Sequence, residues 1–578
     1  MREATARVRA RRTAPSDPVP GEAPAAQSMD MDRSPPELRE ARATRRLLDW
    51  RAAPLLLLVV ALGVGLRFSN LGGKPYWFDE VVTSLRISGL WQRDLHRELD
   101  QHPRVFEAGD FRAYQSPQPG TSWSDVVRGL ASEEPQHAPL YYVSARAWAQ
   151  ALGSSPGSIR TFTALLSALG LPCAYWFALE LFGSGALAIA ALALVAVSPL
   201  ELLQAQTARE YGMWTSTFFL SSAALLRALR LQTRGSWVGY GLSAALALHT
   251  FVFSAFFLTA QCAYALWVLR AGGARRLRPF IVAAGLALLS ILPWLLTLES
   301  PEQIEGTTSW SSTSRGAAGL LKAHVAGFSR LFFDLNSQSG STSRALLLLA
   351  LLTVVLGAVF ALGVATVWRD RRDDKGMLLG LLIAGSALPL IAHDLILQGQ
   401  LSAAHRFMAP AYAAVHIVFA RALVNPRLSL QPRLQRLANG ALAATVGLGL
   451  VSCVAIVRAD RWWNKDPNNV NVEVGRVLSA SARPVLVADG WPEDMFSLAY
   501  HLDPKLPVVG QFIPYQGAYY AAPPAEPPLP SGHGEIFYFN PRPYTPGPFA
   551  AWLGSKREAG LAEAVVGDAR FTVLWKVR

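Results

Sequence analysis

Cysteine is nearly absent: Cys173, Cys262 and Cys453 are three in a chain of 578 residues, and each sits in an apolar stretch. That excludes a disulfide-stapled scaffold and a cysteine-based metal spacing. Charge is scarce as well, at 16% of residues, against 51% hydrophobic residues and a mean hydropathy of +0.23. A soluble protein of this length would need far more polar surface, so the composition indicates a polytopic membrane protein. Acidic residues are outnumbered by basic ones, 41 to 54, for a net charge of +13. In a soluble protein that excess would suggest nucleic acid. Here the Arg clusters read as topology signals, and no nucleic-acid partner is expected. No GxxxxGK[ST] loop occurs, so nucleotide-driven pumping has no support. No internal repeat is visible.

What is present is a series of long apolar runs. Residues 1–50 are rich in Arg, Ala and Pro ("ARVRARRTAPSDPVPGEAPAAQ") and read as a disordered basic tail on the cytoplasmic side. The run that follows lacks a small-residue cleavage site, so it reads as an uncleaved first span. Crossing the hydrocarbon core takes roughly 20 apolar residues. Eleven candidates follow, at about 53–68, 159–182, 185–203, 207–229, 237–250, 252–269, 279–298, 345–367, 377–397, 406–424 and 437–457. With the N-terminus inside, the short loops carrying Arg227/Arg230/Arg234, Arg270/Arg275/Arg276/Arg278, Arg369/Arg371/Arg372 and Arg427/Arg433/Arg436 all become cytoplasmic, as the positive-inside rule requires. The apolar segment Ala138–Gly153 carries Arg146 and is short; crossing there would put every later Arg cluster outside. It is therefore expected to lie as an amphipathic helix along the outer face.

Residues 51–457 thus form one membrane module, with outer loops at about 69–158 and 299–344. Residues 458–578 are expected to be a small extracytoplasmic α/β domain. "RPVLVADG", "GEIFYF" and "ARFTVLWKVR" read as strands, "EDMFSLAYHL" and "PFAAWLGSKREAGL" as helices, and "YYAAPPAEPPLPSGHG" as a loop.

The ionisable residues near span ends collect on the outer side. Asp79 and Glu80 follow span one beside the aromatic rim Tyr76, Trp77 and Phe78, and His137 precedes the interfacial helix. Arg209, Glu210 and Tyr211 begin span four; His249 closes span five; His405 and Arg406 open span ten. A charge inside a span costs about 2.5–3.5 kcal/mol on insertion scales, so such residues usually face a cavity. Each also has a plainer role open to it: a solvated loop pair, a loop histidine, a hairpin cap, a headgroup anchor. Their shared face is what points to a site. Guanidinium groups at that depth suit a lipid phosphate, and a carboxylate beside them could take a proton from an attacking hydroxyl or amine. A transporter or lipid flippase is the rival reading, and would want polar groups near the bilayer midplane on broken helices.

The segments "YWFDEVVT", "HAPLYYVSARAWAQALG", "SPLELLQAQTAREYGMW", His249–Thr250, "LPWLLTL" and "HRFMAPAY" occur in an order that resembles glycosyltransferase family 39. That family belongs to the C-type membrane glycosyltransferase superfamily, with the protein O-mannosyltransferases and the lipid A aminoarabinose transferases. The resemblance covers about residues 55–425. It implies a C-type fold and transfer of a hexosyl or pentosyl group from a polyprenyl-phosphate sugar donor to a lipid, glycan or protein acceptor. The reaction would take place on the outer side of the membrane, with a bacterial inner membrane as the expected setting. By resemblance Asp79 is the catalytic base, with Glu80 beside it, and Arg209, Tyr211 and Arg406 meet the donor phosphate. His137 and His249 fall near substrate or metal. The chain departs from the family pattern at Ala138, Thr207 and Phe407. Some superfamily members use a divalent metal, but no firm ligand set is visible here, and no other cofactor is implied.

Overall fold

The computed structural model describes residues 52–298, 309–336, 343–369, 374–425, 431–514, 526–542, 545, 547–567 and 572–578. The basic tail, residues 299–308 of the second outer loop and part of the Pro-rich segment lie outside the described residues. Five described helices are long and apolar enough to cross a membrane, or six if the pair Gly185–Ala196 and Pro199–Ala205, bent by 61°, counts as one span. The 42-residue run Ser254–Leu295 contains a break at Arg270–Gly272, followed by Gly273 at φ 64°. Length and composition alone therefore reach five or six spans, not eleven. The remaining candidates form shorter or more polar helices: Ala52–Arg67, Tyr211–Leu231, Arg234–Thr250 and Ala409–Leu423. Tyr211–Leu231 buries Thr215, Thr217, Ser221 and Ser222 among its neighbours, which lowers its hydropathy without exposing polar groups to lipid. The outermost helices carry apolar side chains outward: Val354 is 70% and Ile396 76% exposed. Such surface belongs against lipid, and the chain is an integral membrane protein.

Helix Pro139–Leu152 was expected along the membrane face. Its Arg146 is instead buried, donating to Ile87 O at 2.8 Å and Thr121 O at 2.7 Å, and Tyr141 and Tyr142 are fully buried. The two Nη atoms of Arg146 are met by groups of the outer loop, so the helix buries the face of Tyr141, Tyr142, Ala145, Arg146 and Ala149 in protein, while Gln150, Ala151 and Leu152 are exposed.

A six-stranded sheet stands outside the helices, in the order β1-β3-β2-β4-β6-β5. β1 (Arg104–Glu107) comes from the first outer loop and pairs antiparallel with β3 (Pro507–Gly510). β2 (Val485–Ala488) lies parallel between β3 and β4 (Ile536–Phe539). β6 (Leu574–Val577) is antiparallel to β4 and to β5 (Ala562–Val566). Alternation divides the faces: Val485, Val487, Val509 and Tyr538 pack with Trp552 of helix Ala550–Glu558, while Leu486, Val508, Phe537 and Phe539 join the main core with Phe111 and Phe496. Two distant parts of the chain thus build one sheet, and this holds the outer loop against residues beyond the last long helix.

Candidate active site

The outer helix Phe78–Ser88 carries both acids of the opening motif. Adjacent helical residues point about 100° apart, so they cannot share a partner. Glu80 is fully buried and saturated. It accepts Arg160 Nε and Nη2, each at 2.8 Å, Lys465 Nζ at 2.7 Å, the Ala208 N–H at 2.7 Å and, as a capping box, the Trp77 N–H at 2.9 Å. Burial alone would raise its carboxyl, but the charges of Arg160 and Lys465 outweigh that and hold it down at about 2. With every lone pair engaged, Glu80 is placed as a clamp and not as a proton acceptor. The clamp gathers four parts of the chain around Trp77–Asp79. Nearby, Asn468 Oδ1 accepts the Phe78 N–H at 2.9 Å, and the Trp77 indole donates to Asp466 O at 3.2 Å.

Asp79 turns the other way, into a cavity of about 820 Å³. His137, Arg209, Tyr211 and Arg406 line the same space. Arg406 Nη2 stands 3.7 Å from Asp79 Oδ2. Its guanidinium lies 5.1 Å from the Trp77 ring centre, 5.0 Å from Trp310 and 4.9 Å from Phe407, a cage that fixes the cation by its quadrupoles. Arg209 donates through Nη1 to Asp79 O and Thr83 Oγ1, each at 3.3 Å, and through Nη2 to His137 Nε2 at 2.9 Å. Because a guanidinium only donates, His137 Nε2 must accept, and its Nδ1–H donates to Glu210 Oε1 at 2.7 Å. One cavity thus brings Asp79, His137, Arg209, Tyr211 and Arg406 together, and Arg209, itself held by His137, braces the backbone carbonyl of Asp79. His249 is elsewhere: half-buried, 3.3 Å from Ser290, and outside both cavities described here.

A second cavity, of about 470 Å³, adjoins the first and shares Trp77, Tyr211 and Arg406 with it. Arg315, Lys322, Arg330 and Arg406 line it, and among the described residues no carboxylate does. Gln204 also lines it, buried, with Nε2 unpartnered. Arg330 is set by His405 Nε2 at 2.7 Å and lies 3.8 Å from the Trp463 ring centre. Arg315, Lys322, Arg330, Lys465 and Arg160 were not singled out from sequence. Arg160 sits at the start of the candidate span 159–182, where a lone arginine was the available signal; Lys322 and Arg330 lie on helix Gly316–Arg330 within the stretch read as an outer loop, and Arg315 and Lys465 lie in segments of ordinary composition. Among the described residues no group of three or more His, Cys, Asp or Glu is arranged to hold a metal ion. The described residues do not fit a divalent metal.

Over 91% of its length the chain is similar to the crystal structure of ArnT from Cupriavidus metallidurans bound to undecaprenyl phosphate, covering 98% of that chain at 14% identity with a TM-score of 0.51. The apo state of that ArnT gives the same values. A looser likeness, with a TM-score of 0.43 at 15% identity, joins 81% of this chain to 65% of the archaeal oligosaccharyltransferase AglB from Archaeoglobus fulgidus, in complex with an inhibitory peptide and a dolichol-phosphate. No protein-family model and no curated protein sequence matches the chain. The fold is the C-type membrane glycosyltransferase fold that the sequence motifs resemble.

Proposed function

We propose that this ArnT-like chain is a glycosyltransferase that moves a sugar from a polyprenyl-phosphate donor to an acceptor on the outer side of a bacterial inner membrane, with inversion. The observation that carries the reading is the pair of cavities meeting at Arg406. Asp79 lines only the larger; among the described residues the smaller is lined by four cations and no acid. An inverting displacement needs a base on one side of the anomeric carbon and a stabilised leaving group on the other. The acceptor in the larger cavity gives its proton to Asp79 as its oxygen or nitrogen bonds to the anomeric carbon. The bond from that carbon to the phosphate oxygen breaks, and polyprenyl phosphate leaves with the electron pair. Arg406, Arg330, Arg315 and Lys322 meet its charge, and such preorganised charge is commonly the largest catalytic contribution. Tyr211 sits at the junction, and Arg209 lines the larger cavity, where it braces Asp79.

Residues 51–457 would then act as the catalytic module with the N-terminus inside, and residues 458–578 as an outer domain. A transporter reading finds less support, because the charged groups gather at one end of the bundle around Asp79. The test is consumption of a polyprenyl-phosphate sugar in membranes carrying wild type or Asp79→Asn at matched protein levels. Equal turnover would reject the reading.

A further inference from the structure

The larger cavity has a wall that the membrane helices do not supply. Trp491 and Arg542 line it from the region after the last long helix. Each stands three residues past the carboxyl end of a parallel strand: β2 ends at Ala488 and β4 at Phe539. Open carboxyl ends of parallel strands are where α/β sheets take ligands. Arg542 donates through Nε to Asp494 Oδ2 at 2.6 Å and through Nη2 to Asp494 Oδ1 at 3.3 Å. Asp494 is buried and is braced in turn by Asn468 Nδ2 at 3.2 Å, the same side chain that holds the Phe78 N–H. The guanidinium lies 4.7 Å from the Phe78 ring centre, one residue from Asp79. Its Nη1 has no hydrogen bond among the described residues, and the side chain is 32% exposed. A carboxylate thus grips the back of the fork and leaves its free edge toward the cavity, an arrangement suited to phosphate or carboxylate. Phe256, Leu298 and Leu390 give the same cavity apolar lining. An occupant that meets both kinds of lining is amphipathic, with its charged head at Arg542 beside Phe78.

We infer that the acceptor is an anionic-headed lipid, its phosphate or carboxylate held by Arg542 next to Trp491 and its chain lying against Phe256 and Leu390. This rests on the glycosyl-transfer reading above. Lys576, Glu535 and the rest of the sheet's outer edge take no part; the recognising groups are those at the strand ends facing the membrane module.

The experiment is a thermal-shift titration of the purified full-length protein with dihexanoyl phosphatidylglycerol, dihexanoyl phosphatidylcholine and farnesyl phosphate. Phosphatidylglycerol should raise the melting temperature saturably, and phosphatidylcholine should not. Arg542→Gln should weaken phosphatidylglycerol about tenfold and leave the response to farnesyl phosphate intact, which also reports that the variant folds. Arg542→Lys should retain part of the affinity, since it keeps the charge and loses the fork. Equal binding of phosphatidylglycerol by Arg542→Gln and wild type, or no preference for it over phosphatidylcholine, overturns the inference alone. Loss of the farnesyl phosphate response in Arg542→Gln overturns it too, by putting the donor in this cavity. Farnesyl phosphate that fails to stabilise wild type removes the glycosyl-transfer reading and the inference with it.

Discussion

Asp79 and Glu80 are neighbours on one helix and occupy opposite kinds of surroundings. The Glu80 side packs against Arg160, Lys465 and two backbone N–H groups with no solvent. The Asp79 side opens on a cavity, with its carboxylate 24% exposed and a single cation 3.7 Å away. A carboxylate that accepts five donors has no lone pair to give a substrate, whereas one with a single distant partner does. The comparison separates holding the loop from doing chemistry, and it can be broken in several ways.

The largest expected effect is on turnover. Asp79→Asn should cost about 10²–10⁴-fold in transfer rate, the usual loss of a general base, with the melting temperature unchanged in detergent. Next is stability: Glu80→Gln leaves Arg160 and Lys465 buried without their counter-charge, which costs about 3–5 kcal/mol. It should show as a lower melting temperature and less folded protein by size exclusion, while the molecules that remain folded turn over near the wild-type rate. If the two variants behaved alike, the division of labour between the acids would fall.

The pH response sharpens the same contrast. The Glu80 carboxyl is held at about 2 in the fold, below its ordinary 4.5. A depressed carboxyl contributes stability above its unfolded value and loses it as pH falls through the folded one. Wild type should therefore lose melting temperature progressively between about 4.5 and 2, and Glu80→Gln should show a flatter profile across that window. A smaller effect belongs to the basic cavity. Arg330→Gln removes a charge-assisted contact, typically about 1.5–3 kcal/mol, and should weaken farnesyl phosphate roughly tenfold or more in a thermal-shift titration. The smallest is His249→Ala, whose side chain bonds Ser290 and lines neither cavity; it should change transfer less than twofold.

The site was partly legible because a membrane makes ionisable residues conspicuous. Asp79, Arg209 and Arg406 stood out against apolar neighbours, and the cavity gathers all three. Glu80 stood out for the same reason and was read as a partner in chemistry, since a sequence shows that two acids are adjacent and not which one is saturated. His249 failed in the converse way: its place at a span end was real, but the helix turns it toward Ser290. Lys465 and Arg542 lie in stretches where a lysine or arginine is unremarkable, so no local pattern could mark them. The strands β2, β4 and β6 and the helices Pro492–Leu498 and Ala550–Glu558 fall within segments read as strand or helix, because their apolar runs are bounded by Gly and Pro. β1 escaped notice because a four-residue strand with one buried side chain carries no periodicity.

By itself the sequence determined the solvent in which this protein lives and the motifs of its fold, since hydropathy and the placement of Arg are local properties that each segment carries alone. Which acid is free, which arginines meet across a cavity, and that residues near 104 and 510 pair in one sheet were decided only in the tertiary structure. Those outcomes depend on long-range packing and on which groups are already bonded, and no stretch of chain holds that information until its partners are in place.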